Sequence, residues 1–367
     1  MTAQAATNPP ATGPSSRLVS LDAFRGFIMF WISDGRGLVL GLLALLADNP
    51  VRRALDYQLN HSVWDGLRFY DCIWPSFMLM AGLSLPFSFA KRSLTQTQSQ
   101  LRRHVLKRFA VLFLLGSLRE TVMRRAPYLV ELSSALQPIA IAYLVAFLLA
   151  RKSARVVGAV ALALLAGYGA LLAFVAPPGH PASPYELNTN LVTAVDMAVL
   201  GRAHEEGWGT VISTIPTIST TLLGVLLGRL LMGGRPAREK LAAIAGTGLG
   251  CLAAGWLLSF AVPVVMKLWT PSYGLLTAGW ASLILAAHYW LIDMRGLRRW
   301  AFPFVVIGMN ALAFYMFHTA TRLPEVAQII GKGLGGRFQV SLAALVLFTA
   351  EWLILYWLYK RKIFLTA

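Results

Sequence analysis

The densest set of residues able to do chemistry lies in LNHSVWDGLRFYDCIWPSFMLMAGLSLPFSFAKR, from Leu59 to Arg92. His61 is followed closely by Trp64, Asp65 and Gly66, and then by Asp71 at the head of an apolar run. A histidine can take up a proton near neutral pH, and a carboxylate bonded to one ring nitrogen fixes which nitrogen stays basic. Asp71 comes ten residues after His61, close to three helical turns, so the two meet only if the chain bends, and Gly66 stands between them. The same residues also fit a plainer description, an interfacial histidine in a wet loop and an aspartate capping the incoming helix.

Other polar residues form smaller groups. RLVSLDAFRG brings Arg17, Ser20, Asp22 and Arg25 together; Ser20 or Asp22 suits a helix cap, and Arg25 suits snorkelling toward phosphates of lipid or ligand. Six basic residues and His104 lie between Lys91 and Arg108, a positive stretch that suits lipid headgroups and equally a phosphorylated cofactor. In GMNALAFYMFHT, Asn310 precedes His318 by eight residues, so both share a helical face, as a contact between helices or as part of a polar path. His288 and Glu351 are isolated in apolar runs and read as satisfied buried groups, while His180 and His204 sit in a polar stretch without further signal. Cys72 and Cys251 offer no disulfide framework and no metal-ligand spacing, so no metal is expected.

The elements that must position these residues are membrane spans. Of 367 residues, 57% are hydrophobic and 13% charged, against roughly 25% charged in a soluble domain, which excludes a soluble enzyme. Residues 1–16 are small and polar and read as a disordered tail; 17–367 reads as a single membrane domain. Ten apolar stretches approach the ~20 residues that cross a bilayer: 24–47, 69–90, 105–118, 135–150, 156–176, 209–231, 241–262, 273–292, 300–320 and 339–359. The fold class is therefore an all-α polytopic membrane protein. Its first span is broken at SDGRG, residues 33–37, where Asp34 and Arg36 would be costly facing lipid. The short segment 191–200 leaves an eleventh crossing open.

Charge orients the chain. Lys and Arg number 33 against 16 Asp and Glu, a net +17. With both termini cytoplasmic, the inner segments hold 20 of the basic residues and the outer ones 11, as the positive-inside rule requires. The excess of positive charge is thus an orientation signal, and a nucleic-acid partner is not expected.

Several stretches in order, RLVSLDAFRG, HSVWDGLRFYDCIWPSF, ALQPIAIAY, TVISTIPTISTTLLGVLLGRLL, KLWTPSY, GMNALAFY and YKRKIF, resemble the heparan-α-glucosaminide N-acetyltransferase-like membrane acyltransferases, in particular their compact bacterial branch. The resemblance implies a bacterial inner-membrane enzyme that passes an acetyl group from cytoplasmic acetyl-CoA to an amino-sugar or glycan acceptor on the far side. It implies His61 as the active-site histidine, within a motif that includes Trp64, Gly66, Asp71 and Pro75, and matches Asn310 and His318 to the family's late polar positions. Asp71 would orient His61, and Asn310 or His318 would donate to the developing oxyanion. Arg25, Arg108 and Gln137 would serve the donor, Trp64 and Asp34 the acceptor, with membrane lipids around the bundle and a homodimer as the assembly. The chain departs from the family at Pro138, where an arginine is usual. The rival reading is a transporter of a glycan or small metabolite that uses Asp34, Arg36 and Glu351 as its pathway, although the paired halves of many transporters are missing.

Overall fold

The computed structural model describes residues 18–128, 132–177, 179, 184–333 and 335–365, without the side chains of residues 205 and 318–320. The tail expected over residues 1–16 lies outside the described residues. Among those described, the chain is helical and strand-free, with one isolated bridge between Asp65 and Val265. Helices cover each of the ten expected spans. By length and apolarity six are able to cross a membrane: Phe69–Ser93, Ala154–Phe174, Thr214–Met232, Ala237–Ser259, Pro271–Met294 and Gly336–Lys360. A bent pair, α1 (Val19–Ile32) and α2 (Asp34–Leu43), makes a seventh when taken as one span.

The bend of 62° between α1 and α2 falls at Ser33. Gly35 and Gly37 weaken helix continuity there, and Asp34 in the first turn of α2 complements the positive end of that helix. Beyond α3 (Pro50–Gln58), capped by Asn49, the chain returns through a 3-10 turn, Phe69–Cys72, into α4 (Ile73–Ser93). Next come α5 (Gln98–Arg124), α6 (Leu136–Leu148), α7 (Ala154–Phe174) and a short α8 (Leu191–Leu200). The second half holds α9 (Thr214–Met232), α10 (Ala237–Ser259), α11 (Pro271–His288), α12 (Phe302–Met309), α13 (Ala311–Ala320), α14 (Leu323–Lys332) and α15 (Gly336–Lys360). The ninth expected span is therefore interrupted at Asn310, between α12 and α13.

Close packing of small residues sets the centre of the bundle. A Cβ on Gly82 of α4 would strike the Thr221 carbonyl of α9, and one on Gly224 would strike the Leu79 carbonyl. The contacts advance together along both chains, so α4 and α9 run parallel, backbone against backbone, as small residues permit where apolar burial gives helices little drive to associate. Gly26 of α1 and Gly308 of α12 make the corresponding approach. The main apolar core, with Met29, Met78, Trp269, Tyr273, Ile307 and Phe314, lies under the segment that carries His61.

Candidate active site

Gly66, with φ of +121°, lets the chain double back, and the bend brings His61 Nδ1 to 2.8 Å from Asp71 Oδ1. The Asp71 carboxylate is buried and also accepts from the backbone N–H groups of Ser62, at 3.3 Å, and Arg68, at 2.9 Å. A carboxylate facing Nδ1 requires that nitrogen to carry the proton, which leaves Nε2 as the basic one. The His61 side chain is 40% exposed, so this nitrogen belongs to a reachable group. The loop that carries it is sewn down: Gly66 N–H donates to the Val264 carbonyl, Asp65 accepts from Val264 N–H, and the Tyr273 hydroxyl donates to the Asp71 carbonyl. Trp64 belongs to this fastening, its indole N–H donating to the Tyr185 carbonyl at 2.8 Å.

The imidazole packs against Tyr70 at 4.5 Å and edge-on against Trp208 at 5.4 Å between ring centroids. The Arg36 guanidinium covers Tyr70 at 4.6 Å. Trp208 also lines a cavity of about 330 Å³, walled further by Trp74, Arg119, Glu120, His204 and Tyr315. Glu120 sits between two cations. Arg119 donates to one carboxylate oxygen at 3.0 Å, and Arg124 to the other at 3.1 Å. Arg124 also donates to His204 Nε2 at 2.7 Å, and Arg119 lies 4.4 Å over the Tyr315 ring. The segment bearing Trp208 is held by Asp196, whose buried carboxylate accepts the N–H groups of Thr210 and Val211, both at 2.9 Å. Burial pushes the Asp196 carboxyl above the ordinary aspartate range, against the pull of those donors and of His204.

The other polar residues singled out by their spacing or by the family resemblance lie elsewhere. Gln137 is buried and ties α6 to α5 by donating to the Ser117 hydroxyl at 3.1 Å. Arg108 is nine residues before Ser117, about 13 Å lower on the helix, where it covers the Tyr143 ring at 4.7 Å. Gln137 and Arg108 therefore stand at different levels of the bundle. Arg25 joins α1 to its neighbours through Ser84, at 3.0 Å, and the Gly308 carbonyl, at 3.4 Å. Asn310 is fully buried, with its amide donating to the Ile363 carbonyl at 3.1 Å and accepting Leu365 N–H at 2.8 Å. Both ends of that amide hold the segment after α15. Asp34 faces Glu351, a buried residue of α15. His318 lies on α13, and its side chain is outside the described residues.

Arg119, Glu120, Arg124, Trp208 and Asp196 do not stand out as a group in the sequence, and His204 reads there without further signal. One signal was present: Glu120 is an acidic residue in an otherwise basic stretch, RETVMRR. The bond from Arg124, the partner of Glu120, to His204 joins segments 80 residues apart, which spacing cannot reveal.

A family model described as an acyltransferase domain matches residues 135–359. That segment begins beyond the His61–Asp71 pair and contains His204, Trp208, Asn310 and Tyr315. No curated protein matches the chain.

Proposed function

Because the chain belongs to the acyltransferase family matched over residues 135–359, we propose that it moves an acetyl group from cytoplasmic acetyl-CoA to an amino sugar or another glycan on the opposite face of the membrane. The observation that carries this reading is the His61–Asp71 pair standing, through Trp208, against the wall of a cavity that Arg119, Glu120 and His204 also line. His61 Nε2 takes the proton of the acceptor hydroxyl or amine while that oxygen or nitrogen bonds to the thioester carbon. The C–S bond breaks with its electron pair left on sulfur, and the imidazolium returns its proton to the thiolate. Asp71 holds the ring in the required tautomer and balances the charge that His61 gains.

At the other end of the bundle, the donor's phosphates fit the basic stretch around Arg108 and Arg25. Arg108 Nε and His104 Nε2 are buried without a partner among the described residues, as expected of groups that complete their hydrogen bonds on an anion. Arg108 and Arg119 lie on the same helix, eleven residues or about 16 Å apart, a rise for the pantetheine arm to span.

The broken first helix, with Asp34 facing Glu351, is what favours the transporter reading, and one experiment separates the two. Purified protein incubated with acetyl-CoA labelled in the acetyl group is expected to pass label to an added glycan or to release free CoA. His61→Ala is expected to abolish that turnover while acetyl-CoA binding persists. Turnover retained in His61→Ala, or uptake of unmodified solute into liposomes without CoA release, overturns the assignment.

A further inference from the structure

Resting on the acyl-transfer reading, we infer that the cavity beside His61 takes a sugar ring bearing an anionic substituent, and that the ring offers a hydroxyl, not an ammonium, for acylation. Charge is the first argument. Glu120 is the one carboxylate among the described residues lining the cavity, and Arg119 and Arg124 already occupy both of its oxygens. Arg124 also lies over the Tyr128 ring at 4.9 Å, a ring that Arg202 covers at 4.1 Å. Two guanidinium groups thus bracket the one carboxylate, leaving an excess of positive charge at the cavity wall. An ammonium entering this space finds no open anion and meets like charge, whereas a carboxylate or phosphate is drawn in and can be bound in fork geometry.

Unused donors give a second, independent argument. Trp74 Nε1, Arg119 Nε and Ser133 Oγ are lining-residue atoms that are buried without a partner among the described residues. All three can donate, and a buried donor left unmatched costs free energy until something accepts from it. The cavity therefore calls for an acceptor-rich occupant. Shape agrees: Trp74, Trp208 and Tyr315 supply apolar ring surfaces around about 330 Å³, within the range of small-ligand sites and suited to a sugar ring's C–H faces.

The chemistry follows from the charge. A hydroxyl on the bound ring gives its proton to His61 Nε2 as its oxygen bonds to the acyl carbon. The C–S bond breaks, sulfur keeps the electron pair, and the imidazolium proton passes to the thiolate. An amine would have to shed its own proton first, in a pocket that repels its protonated form.

Equilibrium dialysis of the full chain in lipid nanodiscs tests this, using radiolabelled glucuronic acid, glucose 6-phosphate, methyl glucoside and glucosamine. Glucuronic acid and glucose 6-phosphate are expected to bind roughly ten-fold or more tightly than methyl glucoside, with glucosamine weakest. Arg119→Gln is expected to erase the preference and Arg124→Lys to keep most of it. Equal or tighter binding of methyl glucoside or glucosamine by the unaltered chain overturns the proposal, whether or not either variant folds. A parallel arm with a polyprenyl-phosphate sugar in the disc distinguishes a lipid-borne anion from a soluble one, since tighter binding of either names the source. Anionic sugars that bind selectively but yield no acetyl ester with acetyl-CoA would sink the acyl-transfer reading and leave the selectivity of the cavity standing.

Discussion

Asp71 spends its carboxylate on three acceptor contacts, to the His61 ring and to the N–H groups of Ser62 and Arg68. Asp71→Asn keeps the shape but presents an amide N–H that clashes with one donor and no longer fixes the His61 tautomer. The expected outcome is a fall in kcat of about 10²–10⁴-fold with the KM for acetyl-CoA little changed, read from initial rates of thiol release. At the opposite end, burial, with Arg92, Arg108 and Lys107 nearby, holds the His104 imidazole below its ordinary value of 6.5. The unfolded chain therefore binds that proton first on acidification, so the contribution of His104 is complete above about pH 6.5 and shrinks as the pH falls toward the folded value. Thermal unfolding between about pH 7 and about pH 5.5 should be less pH-sensitive in His104→Gln than in the parent, and equal slopes would count against this. His61 and Asp71 were legible as a pair because a ten-residue loop with one glycine joins them. Glu120 was not, because its meaning comes from the two guanidinium groups that bracket it, one of them bonded to a histidine 80 residues away.

Among elements, the glycine-lined crossing of α4 on α9 is the tightest constraint on where His61 stands, since α4 begins directly after Asp71 and Cys72. Gly82→Ala forces two backbones apart and is expected to cost about 1–3 kcal/mol. Gly37→Ala, on α2 with nothing near its missing Cβ, should be neutral or slightly stabilising; denaturant unfolding in detergent compares the two. Asp196 plays a similar part for the segment carrying Trp208. Asp196→Ala strands two N–H groups and is expected to lower stability by roughly 2–4 kcal/mol and to weaken sugar binding at the cavity. The apolar runs announced the helices, and SDGRG announced the break between α1 and α2. Apolarity could not announce the break at Asn310, where GMNALAFY reads as continuous helix; its cause is tertiary, the fully buried amide gripping Ile363 and Leu365. Nor could it show that Gln137 and Arg108 point to different levels of α5, since sequence similarity carries no depth.

At the scale of the whole molecule, the excess of 33 basic over 16 acidic side chains carries an expected orientation that labelling can read. Asp56→Cys and Arg235→Cys, each in a background with Cys72 and Cys251 replaced by Ala, put exposed thiols at opposite ends of the bundle. A membrane-impermeant maleimide should label the first in intact cells and the second only after permeabilisation; the reverse pattern would invert the site's sidedness. Arg25 and Gly308, joined where α1 meets α12, stand 283 residues apart in the chain. A ribosome adding roughly 5–20 residues per second completes Gly308 on the order of 15–60 s after Arg25. Through that interval the nascent α1, with Asp22, Arg25 and a weak joint at Ser33, rests in the bilayer without its permanent neighbour. During biogenesis Ser84 of α4, only 59 residues on, is the partner that reaches Arg25 before Gly308 does, and α12 completes its surroundings much later.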